Sequence, residues 1–148
     1  MAIKICGNTI VPNISGCNTT SGNLAIGINS LNATTTGYNN TAMGANALGN
    51  NVTGGYNAAF GLNALVNNSG GSNNTALGAD ALYTANGTQY NVAVGYASLN
   101  GNTTGQSNTA VGAQALYNNA TGYENTAVGY GSMYSMSTGY YNTGTGNL

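Results

Sequence analysis

The side chains that usually carry chemistry are almost absent from this sequence of 148 residues. Lys4, Asp80 and Glu124 are its only charged residues, and it contains neither His nor Arg. General acid–base catalysis and metal binding depend mainly on His and on grouped carboxylates. Asp80 and Glu124 occupy unrelated positions, so we expect isolated, solvated carboxylates rather than a catalytic pair. The sequence therefore predicts a protein that is not an enzyme and that has no cofactor and no metal site.

The same shortage of charge limits the partners. One lysine cannot neutralise several phosphates, and that neutralisation supplies most of the affinity for nucleic acid, so no DNA or RNA binding is expected. No membrane insertion is expected, because Gly, Asn or Thr interrupts each apolar run well before the about 18 residues of a spanning helix. No signal peptide is found at the start of the chain. A protein without an export signal reaches the exterior on lysis, which favours a location on a virion or an extracellular surface.

Two cysteines lie near the start of the chain, at Cys6 and Cys17. They could form a disulfide that closes an irregular N-terminal segment. Two free thiols in a reducing compartment fit the sequence equally well, and a bridge between chains is a minor third alternative.

A pentapeptide, Asn-x-Ala-x-Gly, recurs through most of the chain. Each motif Asn follows the previous one after 17 residues without insertion or deletion, which indicates stacked repeats that share one core. We interpret residues 23–148 as an all-β parallel solenoid of eight 17-residue coils, and residues 1–22 as an irregular N-terminal cap or docking segment. Stacking predicts a ladder in which each motif amide bonds to the identical side chain one coil away. The ladder comprises Asn23, Asn40, Asn57, Asn74, Asn91, Asn108, Asn125 and Asn142.

Other columns keep the same step and define the expected coil. The motif alternates like a short strand, and a second short strand is expected over the Ala-Leu pair that follows it. We expect a large apolar column to fill the interior together with a Leu column, and the Gly that closes each repeat to supply a positive φ. The large apolar column is Ile26, Met43, Phe60, Leu77, Val94, Val111 and Val128. The Leu column is Leu31, Leu48, Leu65, Leu82, Leu99, Leu116 and Met133, and the closing glycines are Gly37, Gly54, Gly71, Gly87, Gly105, Gly122 and Gly139.

Eight such coils form a rod of only about 40 Å, at about 4.8 Å per coil. A coil this small buries little apolar area, and small domains are marginally stable alone. We therefore expect a homo-oligomer.

The Asn-Thr-Ala-Val-Gly motif, followed by Ala-Leu, resembles the head repeats of trimeric autotransporter adhesins, the YadA-like head family. It is still more similar to the related repeats of phage and viral tail-fibre proteins. The resemblance covers residues 23–148 and implies a left-handed parallel β-roll, three chains side by side, and contact with a host surface. The period is longer than the usual adhesin coil, and the sequence has no counterpart of an autotransporter's stalk and anchor. The resemblance implies a structural or adhesive fibre module, most directly a receptor-binding tail-fibre subunit.

Tyrosine is the side chain best suited to recognition here. Aromatic rings in register can stack on the sugars of a host glycan or form hot spots for a host protein. Rings that merely cover strand faces or pack between chains are the favoured alternative, because tyrosine pairs stabilise sheets in any case. The candidate recognition surface is Tyr83, Tyr96, Tyr117, Tyr123, Tyr130, Tyr134 and Tyr140.

Two further functions remain open. The C-terminus shows no charged or helical cap, so subunits could stack head to tail into a self-assembling extracellular filament. Residues 1–22 could instead join the rod to a larger virion or fibre assembly. A column of threonines also suggests an ice-binding face, but apolar residues interrupt it, and an inward or interfacial position is expected. The column is Leu24, Thr41, Ala58, Thr75, Val92, Thr109, Thr126 and Thr143.

Overall fold

The computed structural model describes residues 21–34 and 36–148. Its regular elements are strands of three residues, one in each copy of the motif, and turns and bends connect them. Asn and Gly are poor helix formers, and no helix occurs within the described ranges. The strands are β1 (Leu24–Ile26), β2 (Thr41–Met43), β3 (Ala58–Phe60), β4 (Thr75–Leu77), β5 (Val92–Val94), β6 (Thr109–Val111), β7 (Thr126–Val128) and β8 (Thr143–Thr145).

These strands form one parallel sheet in which each strand pairs with the next strand along the chain. Every pairing matches equivalent residues of successive repeats: Ala25 pairs with Ala42, and Ala42 pairs with Ala59. A chain that returns to the same register after each turn is a β-solenoid, and here it makes about seven turns. The prediction of an all-β parallel solenoid is confirmed.

The middle residue of each strand faces the interior. Alanines fill this column from β1 to β7, and each is 0% exposed. Because neighbouring side chains on a strand point to opposite faces, the first and third residues point outward. The prediction that the large apolar column fills the interior is therefore wrong, and Leu77, for example, is 49% exposed. The interior is only as thick as the Ala and Leu columns that meet in it, which leaves no room for side chains such as Phe60 and Met43.

The Ala-Leu pair lies in a turn, so the second strand expected there does not form in the described residues. The leucines adopt left-handed backbone conformations, with φ of 50° at Leu48 and 52° at Leu65. This conformation costs an L-residue about 1–2 kcal/mol. Complete burial of the leucine side chain, which contributes about 1.5–3 kcal/mol, offsets that cost. The turn is also tied to the next one, since the Leu48 N–H donates to the Ala64 carbonyl over 3.0 Å.

The closing glycines are needed for space rather than for positive φ. Among them only Gly87 has a positive φ, of 73°, so the general expectation is wrong. A Cβ added at Gly37 would lie 2.6 Å from the carbonyl oxygen of Gly54, and 2.8 Å from the Asn51 amide nitrogen. At Gly37 successive turns approach so closely that a side chain would clash with the next backbone, whereas a Cβ at Gly87 would meet no atom within 4 Å.

Candidate functional site

The motif asparagines form a continuous column inside the solenoid. From Asn23 to Asn125, the Oδ1 of each asparagine accepts hydrogen bonds from both the backbone N–H and the Nδ2 of its equivalent in the next turn. Asn74 shows the pattern: its N and Nδ2 donate to Asn57 Oδ1 over 3.0 and 3.2 Å. Its Nδ2 also donates to the carbonyl of Thr88 over 2.7 Å. The same contacts join all the asparagines that the sequence placed in the ladder, from Asn23 to Asn142.

From Asn40 to Asn125 the column uses every hydrogen-bonding position of its amides. Asn74 and Asn91 are 0% exposed, and each Nδ2 gives both protons while each Oδ1 accepts two. An aspartate could not donate, and like charges repeated at about 4.8 Å would repel each other. This column is therefore structural, and it leaves no group for a ligand.

A second column, in which most residues are buried asparagines, was not predicted from the sequence. Asn68 Nδ2 donates to the carbonyl of Gly71 over 3.0 Å and to Asn51 Oδ1 over 3.4 Å. Asparagine recurs at this place in several repeats, which is a signal that the sequence does contain, but other residue types interrupt it. The column is Thr34, Asn51, Asn68, Ala85, Asn102, Asn119 and Met136.

The outer sheet face consists of the first and third residues of every strand. It presents the threonine column beside the large apolar column. The threonines therefore point outward rather than inward, and the interfacial position that was the other expectation stays a prediction. Val128 is 42% exposed and Met43 39%. The face carries no charged side chain, because Asp80 and Glu124 lie outside the strands. It is a continuous uncharged surface that is apolar along one of its two columns.

The candidate tyrosines lie in three separate columns rather than on one surface. Consecutive turns bring two pairs together in parallel stacks. Tyr117 stacks on Tyr134 with ring centroids 4.9 Å apart, and Tyr123 stacks on Tyr140 at 5.2 Å. Tyr141, which the sequence analysis left out, contacts both rings of the second stack edge-on.

The remaining candidate tyrosines have no tyrosine at the equivalent position of an adjacent turn. Tyr96 and Tyr130 are equivalent residues two repeats apart, and Ala113 lies between them. Tyr83 is separated from Tyr117 in the same way, by Asn100. These three rings are exposed, and none of them contacts another aromatic ring among the described residues.

The two carboxylates lie in different environments. Asp80 is half-buried, and its Oδ1 accepts a hydrogen bond from Asn63 Nδ2 over 3.0 Å. It is thus not the isolated, solvated group that was expected. Glu124 is exposed.

Neither Cys6 nor Cys17 falls within the described residues, and of the segment 1–22 only Ser21 and Gly22 do. In the part of the chain that the structure describes, no three His, Cys, Asp or Glu side chains are grouped so as to hold a metal ion. The described residues include no helix long and apolar enough to span a membrane.

Comparison with protein-family models, curated proteins and solved structures finds no match to this chain.

Proposed function

We propose that this chain is a non-enzymatic structural and adhesive fibre module, in the first place a receptor-binding subunit of a phage or viral tail fibre. It acts as a homo-oligomer on a virion or another extracellular surface. The observation that carries the proposal is the outer sheet face, a regular, uncharged and partly apolar surface that a single chain leaves in water.

Burial of this face supplies the driving force for assembly. Full burial of a Leu or Val side chain contributes about 1.5–3 kcal/mol. Leu77 and Val128 are 49% and 42% exposed, so covering each of them contributes roughly half of that. Contiguous apolar surface of this kind marks contact sites on soluble proteins. A second copy of the chain is a suitable partner, because its face has the same spacing and brings no charge that would lose its hydration.

The detailed architecture that we propose follows the resemblance to YadA-like head repeats. The chain winds left-handed in eight coils of 17 residues, and three chains lie side by side so that every outer sheet face is covered. Residues 1–22 attach the rod to a larger virion or fibre assembly. The asparagine columns make each rod stiff, since a turn cannot shift without breaking several buried hydrogen bonds.

Light scattering on the purified full chain, followed by a cell-binding assay, tests the proposal. We expect a mass of three chains, each of 14.7 kDa, and saturable binding of fluorescently labelled protein to host bacteria. A stable single chain that binds no cell in a broad bacterial panel contradicts it.

A self-assembling filament is the second candidate. The parallel pairing repeats the same register at every step from β1 to β8, so a turn contributed by another subunit can continue it. Electron microscopy at rising protein concentration distinguishes the two functions. Rods that lengthen with concentration support the filament, and particles of one fixed length exclude it.

Ice binding is the least favoured function. The threonines of the outer sheet face do point outward, but Phe60 and Met43 occupy the neighbouring column and break the flat array that ice binding requires. Absence of thermal hysteresis at millimolar protein excludes it.

A further inference from the structure

A polar groove crosses two successive turns next to the Tyr123–Tyr140 stack. Its volume is about 300 Å³, at the small end of the range for ligand pockets, and equivalent positions of the two turns line it. The lining residues are Thr104, Gln106 and Ser107 from one turn and Thr121, Tyr123 and Glu124 from the next.

The groove combines an aromatic wall with unused polar groups. Tyr123 is 42% exposed, and its ring is backed by Tyr140 and by the edge of Tyr141. Within residues 21–34 and 36–148, the side chains of Gln106 and Glu124 make no hydrogen bond to another protein group, and the same holds for the groove's four hydroxyls, on Thr104, Ser107, Thr121 and Tyr123. The asparagine columns, in contrast, use all or most of their polar atoms within the protein.

The backbone holds this arrangement in place. The Glu124 N–H donates to the Gln106 carbonyl over 3.0 Å, and the Tyr141 N–H donates to the Tyr123 carbonyl over 3.3 Å. Tyr123 and Tyr140 also form a parallel backbone bridge. The backbone under the groove is therefore fixed before any ligand arrives, which lowers the entropy cost of binding.

We propose that this groove binds one unit of a neutral saccharide. The Tyr123 ring packs against the apolar face of the sugar, where C–H groups meet the negative face of the aromatic ring. The Glu124 carboxylate accepts hydrogen bonds from two neighbouring sugar hydroxyls, as an acceptor-only group with two oxygens can. Gln106 and Thr121 supply both donors and acceptors for the remaining hydroxyls.

Charge selects neutral over acidic sugars. Glu124 is the one ionised group in the groove, and the single basic residue of the chain, Lys4, lies outside the described residues. An anionic sugar would bring a second negative charge beside Glu124, and the described residues include no cationic side chain to compensate it. The inference deepens the proposed adhesive function, on which it rests, by naming the chemical class of the receptor.

Nuclear magnetic resonance titration of the full chain tests the groove. The probes are the methyl glycosides of glucose, galactose, mannose and N-acetylglucosamine, with sialic acid as the acidic comparison. At least one neutral glycoside is expected to give saturable shifts at residues of the groove, with a millimolar dissociation constant, as suits a ligand of this size. No saturable shift with any of the four, or tighter binding of sialic acid, overturns the proposal.

Two variants with matched controls localise the binding. Tyr123→Ala should weaken binding about tenfold, the loss of one aromatic contact, whereas Tyr56→Ala, at an exposed ring far from the groove, should not. Glu124→Gln keeps the side-chain shape and should weaken binding similarly, while Asp80→Asn removes a charge elsewhere and should leave it unchanged. If Tyr123→Ala does not fold, Glu124→Gln decides. Unchanged binding in Glu124→Gln overturns the proposal.

Experiment can contradict the proposed function and this inference independently of each other. If the chain binds host cells and both groove variants bind them equally well, the saccharide site is wrong and the adhesive function stands. If the groove binds sugars but the chain attaches to no cell, the adhesive function is wrong.

Discussion

Thr88 closes its turn in the repeat where Ala85 replaces the asparagine of the second polar column. Both residues are 0% exposed. In the preceding turn, a Cβ at Gly71 would overlap both the Oδ1 of Asn68 and the backbone carbonyl oxygen of Thr88, and the first of these two overlaps depends on the asparagine side chain. Ala85 removes the corresponding amide, so Thr88 has space for its side chain, although its Oγ1 finds no hydrogen-bond partner among the described residues. The two replacements therefore compensate each other sterically.

This relationship predicts strong coupling between the two positions. Ala85→Asn alone should destabilise the chain, because the new amide overlaps Thr88, and Thr88→Gly alone should destabilise it by leaving a void. The double variant restores the pattern of the neighbouring turns and should be at least as stable as the parent. Urea unfolding of all four proteins measures the coupling free energy, expected at about 1–3 kcal/mol. Strictly additive effects would show that the residues do not compensate.

The motif asparagines should dominate the stability of the rod. Asn74→Ala removes the acceptor used by two groups of Asn91 and the donors to Asn57 and Thr88. Buried groups without partners cost about 1–3 kcal/mol each, so we expect a loss of about 3 kcal/mol or more in the free energy of unfolding.

Asn50→Ala is the matched control for this prediction. Asn50 is exposed, and its side chain makes one hydrogen bond, to Asn67 Oδ1 over 3.2 Å. Its replacement should change the free energy of unfolding by about 0.5 kcal/mol or less. Similar losses for the two variants would contradict a special role for the buried column.

Ala97 has a left-handed backbone conformation, and its replacement by glycine is expected to stabilise the chain. Ala97 has a φ of 52°, and Gly131 occupies the same place two repeats later with a φ of 61°. Ala97→Gly should raise the free energy of unfolding by up to about 1 kcal/mol, because glycine avoids the steric cost of this conformation. Ala93→Gly, in the extended strand β5, should instead lower it by about 1 kcal/mol. The melting temperatures of the two variants are expected to move in opposite directions.

The parallel register could be predicted from the sequence because the step between asparagines never varies. In a solenoid, an equal step forces equivalent residues such as Ala42 and Ala59 to pair, and no other information is needed. The identity of the inward face could not be predicted by the rule that large apolar residues are buried. Ala and Asn fill the narrow interior, while Leu77 and Phe60 point outward toward a surface that the single chain does not cover.

Neither the backbone conformation of the turns nor the polar groove could be predicted from the sequence, and the reasons differ. Leucine disfavours positive φ, so nothing in its type predicts the left-handed conformation at Leu48. The second polar column was hidden because Ala85 and Met136 interrupt it. The register alone places Gln106 and Glu124 in neighbouring turns. Whether their side chains line a groove depends on side-chain positions, which the sequence does not give.

Assembly through the outer sheet face is the central claim, and sedimentation equilibrium of matched charge variants tests it most directly. Leu77→Lys places a charge at an exposed position of that face, and Asn118→Lys adds the same charge at an exposed turn residue outside it. We expect the parent and Asn118→Lys to sediment as three chains, and Leu77→Lys to sediment as a folded single chain of about 14.7 kDa. A parent protein that sediments as one chain, or a Leu77→Lys variant that keeps the mass of the parent, would contradict the account.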